Sequence, residues 1–137
     1  MSWQSFDLDH HAQWIVIEAI SRSRDSLAQA YKMRNTCSYG LERFWGEQIR
    51  LGRDSNTKHE ADFWKDVWDT LVNQMSRAYI YLEPSREQTQ RIPSNEEIIR
   101  HLWSLNHEEH QIALIVLTNL CDAVVWWKQR LDPGRSV

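Results

Sequence analysis

The stretch His107–Leu131, HEEHQIALIVLTNLCDAVVWWKQRL, decides the fold class. It lacks both glycine and proline, and Asn106 before it is a good N-cap with Glu109 three positions on, so the spacing predicts one long helix. Ala113, Val116, Leu117, Leu120, Val124, Trp127 and Leu131 recur at the three-and-four spacing of one helical face, while Gln111, Thr118, Asp122 and Gln129 mark an opposite polar seam. Ile112, Ile115 and Trp126 widen the apolar sector beyond a single stripe. A helix so apolar around its circumference is a central one, with the other helices packed about it. Glu108 and Glu109 in its first turn and Lys128 and Arg130 in its last complement the helix dipole.

Working outward, the 137 residues form a single helical domain, 1–137, with a frayed tail from about 132. Four glycines and three prolines leave little material for the tight turns of a β fold. The fold class is therefore all-α, a single bundle of about five helices closed by a long apolar C-terminal helix. A net charge of −3 argues neither for nor against a polyanionic partner. Cys37 and Cys121, in a chain without a signal-like start, point to a reduced cytoplasmic setting without a disulfide, with Cys121 a small core residue. The apolar run Ile112–Leu117 is closed by Thr118 and Asn119, well short of the ~20 residues that cross a bilayer, so no membrane partner is expected.

From the N-terminus, a first helix is expected from near Asp7 or Asp9 to about Met33, its stripe (Ala12, Val16, Ala19, Ile20, Leu27, Ala30, Tyr31) weakened by the polar run Ser21–Ser26. A break at Asn35–Tyr39 before Gly40 then separates a short second helix carrying Leu41, Phe44, Trp45 and Ile49 and ending at Gly52, the competing reading being one helix from Asp7 to Leu51. Thr57 and Glu60 form a capping-box pattern before a regular face of Ala61, Trp64, Trp68, Leu71, Met75, Ala78, Tyr79 and Leu82. EPSREQTQRIP, 83–93, reads as a loop. Ser94 and Glu97 repeat the capping box, opening a short helix with Ile98, Leu102 and Leu105 facing inward.

Eight tryptophans and several aromatic doublets are the compositional oddity. Adjacent helical residues point about 100° apart, so one narrow core face cannot take both members of a doublet. Trp45, Trp64 and Trp127 fit the stripes, which leaves Phe44, Phe63 and Trp126 as candidate partner-binding anchors, against a plainer reading as parts of a thick core. The segment from Ile20 to Arg53 is net positive, and Arg22, Arg24, Arg43 and Arg50 are the candidate contacts to RNA or single-stranded DNA, against a plainer reading in which the acidic segment Asp54–Thr70 neutralises them. The histidines do not supply the paired Glu-x-x-His of a helical di-metal centre; the nearest match, Asp7 to His10, has no counterpart. No metal or cofactor is expected.

Two resemblances bear on function. Arg53 with His59 in RDSNTKH, and Arg100 with His107 in RHLWSLNH, resemble the arginine-histidine motif of the all-helical HEPN ribonucleases, which implies an RNA-cleaving alternative with those four residues catalytic. With twelve arginines and six histidines, about one or two such matches arise by chance. The ending ALIVLTNLCDAVVWWKQRL, 113–131, resembles the C-terminal helix of the all-helical small subunits of CRISPR effector complexes, where an apolar helix closes with an aromatic-Lys-Arg tail. That resemblance implies a non-catalytic subunit of an antiviral ribonucleoprotein that holds RNA or displaced DNA through basic side chains. The expected function is thus a helical interaction subunit of a larger assembly, partnered by other subunits or by itself; the alternatives are the ribonuclease and a helical metal-binding protein.

Overall fold

The computed structural model describes residues 7–84 and 91–132; the expected tail from 132 falls almost wholly outside them. Among the described residues there are six α-helices and no strand: α1 Leu8–Arg22, α2 Gln29–Thr36, α3 Leu41–Gly52, α4 Lys58–Arg77, α5 Asn95–Ser104 and α6 His107–Leu131. The all-α bundle and its long last helix are as the sequence predicts.

The expected first helix is two. Ser23 is extended at φ −168° and ψ 115°, and the chain passes through a 3-10 turn, Arg24–Ala28, before α2 begins. The Ser26 hydroxyl donates to the Ser23 carbonyl at 2.7 Å, offering the backbone a local alternative to the helix within the polar run. A second break ends α2 in the 3-10 turn Cys37–Tyr39 and Gly40, whose φ of 99° suits glycine; the single helix from Asp7 to Leu51 is excluded.

Helix α4 is the most deeply wrapped. It buries Ala61, Trp64, Trp68, Leu71 and Met75 on the predicted stripe and Phe63 and Val67 beside it, so the core is thick and takes both members of the Phe63–Trp64 doublet. Contacts place α1 and α3 antiparallel to it: Arg22 meets Asp66 while His11 meets Gln74, and Phe44 of α3 packs on Trp64 and Trp68 with ring centroids 4.8 and 6.5 Å apart while Gly52, at the end of α3, lies against Ala61. The buried indoles are satisfied, since Trp64 Nε1 donates to Gln29 Oε1 at 2.9 Å and Trp68 Nε1 to Glu83 Oε2 at 2.8 Å. Helix α6 packs against α1, α2, α3 and α4, as a central helix should, yet Ile115 and Trp126 on it are about half exposed. By length and composition α6 also passes for a membrane span, contrary to the sequence expectation, with mean hydropathy 1.3 in an 18-residue window of which 33% is buried in the bundle. The interruption at Thr118 and Asn119 is mild on a hydropathy scale, and α1 to α4 cover only part of the apolar circumference, leaving Ile115 and Trp126 at the surface.

The helix ends follow their caps with one exception. Ser94 and Asn106 both close reciprocal capping boxes, with Glu97 and Glu109. Thr57 does not: its hydroxyl donates to the Leu51 carbonyl, and Glu60 instead accepts from Gln29. Helix α4 stops at Arg77, so Ala78 and Tyr79 leave the predicted stripe; Tyr79 is 80% exposed while Leu82 is buried from beyond the helix. The stop is a Schellman motif. Tyr79 N–H donates to the Ser76 carbonyl and Ile80 N–H to the Met75 carbonyl, both at 3.0 Å, with Tyr79 left-handed at φ 62° and Ile80 and Met75 buried.

Two outcomes follow. Tyr79→Gly removes the left-handed penalty at little packing cost and should raise unfolding free energy in urea by about 1 kcal/mol. Gln29→Ala strands the Trp64 indole N–H in the core and should lower it by roughly 2 kcal/mol, with part of the loss recovered when Trp64→Phe is added.

Candidate partner-binding surface

The outward face of α6 combines aromatic, aliphatic and charged groups. At 100° per residue, Gln111, Ile115, Asn119, Asp122, Trp126 and Arg130 fall within one sector of the helix. Ile115 is 49% exposed and Trp126 45%. Leu114, Ile115, Thr118, Asn119 and Gln111 line a mainly apolar groove of about 370 Å³.

At the C-terminal end of this face the aromatic groups are fixed in place. The Trp126 ring meets Trp127 edge-on with centroids 4.7 Å apart, and the Arg130 guanidinium stacks 4.0 Å from the Trp126 centroid. Trp127 is anchored in turn, its Nε1 donating to Asp9 Oδ1 at 3.0 Å. Helix α2 runs antiparallel beside this face, joined by the Arg34–Asp122 ion pair and by Gln129 Nε2 donating to the Tyr31 hydroxyl at 3.2 Å. Beneath the rim the Lys128 ammonium is buried, 3.4 Å from the Asp132 carboxylate and 5.1 Å from the Tyr31 ring centroid.

Of the three candidate anchors only Trp126 reaches the surface. Phe44 and Phe63 are 1% and 0% exposed, and their reading as partner contacts is corrected: Phe44 packs on Trp64 and Trp68, and Phe63 is buried in the core around α4. Trp14 and Trp103, 56% and 77% exposed, are surface aromatics the sequence analysis did not single out. Each lies off its own helix's buried stripe, Trp14 beside Ala12 and Val16, Trp103 beside Ile98 and Leu102, and that offset was a readable signal. Trp14 borders a second groove, between α1 and α4, with Glu18, Asp66 and Asp69.

The four candidate arginines do not converge on one patch. Arg22 is committed to Asp66 at 2.8 Å; burial pushes that carboxyl above its usual range, against the pull of the arginine. Arg50 is held by Glu47 one turn away at 2.7 Å. Arg43 lies over the exposed Tyr39 ring at 5.7 Å, and Arg24 is exposed at the mouth of a polar cleft with Tyr31 and Lys128. Arg53, His59, Arg100 and His107 are all exposed, with Arg100 paired to Glu96, and none of the four lines a groove described above. Among the described residues no group of three or more histidine, cysteine or acidic side chains is placed to hold a metal ion.

No protein-family model, curated protein or solved structure matches this chain. The class its architecture defines is an all-α helical bundle.

One electrostatic feature supports the short helix that carries Trp103. Arg91 donates to Glu97, and the Ser94 backbone and side chain add to it, holding the Glu97 carboxyl at about 2 against an ordinary 4.5. A depressed carboxyl stabilises the fold fully above its unfolded value and loses that contribution as pH falls through the folded one. The stability gap between wild type and Glu97→Gln, measured by urea midpoints, should therefore be constant above about pH 5 and should close between 4.5 and about 2.

Proposed function

We propose that this protein is a non-catalytic helical interaction subunit that docks into a larger assembly through the outward face of α6. The observation that carries the reading is the Trp126–Arg130 stack, held edge-on by Trp127 and exposed beside the Ile115 groove. Tryptophan and arginine dominate the energetics of protein interfaces because they bring large contact area with little conformational freedom left to lose. The stack has already ordered both side chains, which lowers the entropic cost of binding. The apolar groove continues the same face toward the N-terminal half of the helix, so a partner helix could bury a strip about 25 Å long.

A nucleoprotein assembly is the form of this reading that the resemblance of the last helix to CRISPR small subunits favours. Its support here is Arg43 lying over the exposed Tyr39 ring, a pairing of cation and ring suited to a phosphate and an unpaired base.

The test is differential purification from the native source with mass spectrometry and nucleic-acid extraction. Wild type should carry companion subunits that Trp126→Ala and Ile115→Glu lose by at least tenfold, although both variants stay folded and lose no more than about 2 kcal/mol of unfolding free energy in urea. Phe63→Ala should instead cost about 3–5 kcal/mol of stability, the signature of a core ring. Arg43→Ala should reduce recovered nucleic acid without changing recovered protein. A wild-type chain that purifies as a bare monomer would overturn the reading.

A further inference from the structure

We infer that Cys37 and Cys121 form a redox modification site, a buried dithiol that a small peroxide converts to an intramolecular disulfide tying the end of α2 to the middle of α6. The placement comes from the antiparallel register of the two helices. Gln129 meets Tyr31 and Asp122 meets Arg34, so one turn further along α2 Cys37 falls opposite the turn of α6 that contains Thr118 and Cys121. The three-residue turn that Cys37 opens packs directly on α6, and the Cys37 Sγ lies 3.3 Å from the Met33 carbonyl. Both cysteines are buried and free, with 2% and 0% of their surfaces exposed.

Two neighbouring thiols are a different object from two separate core cysteines. The environments divide their roles. The hydrogen bond from Cys121, opposed by burial and aided by Thr118 and the Arg34 charge, lowers the Cys37 thiol, whereas burial pushes Cys121 well up. Cys37 is therefore the nucleophile and Cys121 the resolving thiol. Cys37 also stands at the head of a 3-10 turn of three residues closed by Gly40, a short element that local opening can expose without unfolding a long helix.

The step balances with hydrogen peroxide as oxidant. The Cys37 thiolate attacks one peroxide oxygen, the O–O bond breaks, and Cys37 becomes a sulfenic acid while hydroxide leaves and takes up a proton as water. The Cys121 sulfur then attacks the Cys37 sulfur, the S–O bond breaks, and a second water leaves as the disulfide forms. Sulfur loses two electrons in all and peroxide gains them. A dithiol reductant reverses the change.

The experiment uses the full chain, titrated with hydrogen peroxide and then alkylated under denaturing conditions. Titratable thiols should fall from two to none at about one equivalent of peroxide, and mass spectrometry without reduction should find the Cys37 and Cys121 peptides joined within one chain. The oxidised protein should melt about 5–10 °C higher, because the cross-link closes a long loop, and dithiothreitol should restore the original midpoint. In Cys121→Ala the reaction should stop at a sulfenic acid on Cys37 that dimedone traps. Thiols that stay reduced in folded protein, a cross-link only between chains, or over-oxidation of each cysteine without the joined peptide would each overturn the inference, and the wild-type readout does not depend on any variant folding.

Discussion

The structure depends on enclosing the tryptophans of α4 without stranding their N–H groups. Trp64 and Trp68 are each 1% exposed, and an unpaired indole donor in such a place costs about as much as a hydrogen bond to a neutral group contributes. Gln29, at the head of α2, meets Trp64 with its oxygen and Glu60 with its nitrogen, so one amide serves both a core ring and a surface carboxylate. Glu83, beyond the end of α4, meets Trp68, which ties the exit of that helix to its middle. The Schellman stop at Tyr79 makes the second contact reachable: it turns the chain back so that Ile80 and Leu82 return to the core.

The broken N-terminal helix serves the same enclosure. Asp9 bonds Trp127 and Tyr31 bonds Gln129, two neighbouring positions near the end of α6. In one straight helix Asp9 and Tyr31 would lie about 33 Å apart, at 1.5 Å per residue, and could not both reach that place. The extended Ser23 and the following 3-10 turn redirect the chain, which lets α1 and α2 both cover α6 while still contacting α4. What remains open is the outward face of α6, and there the exposed aromatic and aliphatic groups are ordered by their neighbours. The end of α2 likewise brings Cys37 against the part of α6 that carries Cys121, one turn from the Arg34–Asp122 pair.

Local signals were legible wherever one element carried its own information. The bounds of α6, its capping box with Asn106 and Glu109, and the box of Ser94 and Glu97 were readable because each needs only residues three or four apart. The box expected at Thr57 failed for a long-range reason: its Glu60 was claimed by Gln29, thirty-one positions earlier. Trp126 could be read as a surface anchor because it lies off the buried stripe of α6, but the identical argument misplaced Phe44 and Phe63, since off-stripe residues are exposed only where no further helix covers them.

By itself, then, the sequence determined the helical class, the long final helix, the capped starts of α5 and α6 and the break before α3, all of which arise from periodicity, glycine and capping chemistry within a few residues. The tertiary structure decided the rest: that α4 is wrapped on several sides, that Arg22 and Arg50 are neutralised while Arg43 lies over a ring, and that Cys37 is brought against the part of α6 that carries Cys121. These depend on which helices meet and in which direction they run, and a periodic apolar face specifies that it will be buried without specifying what buries it.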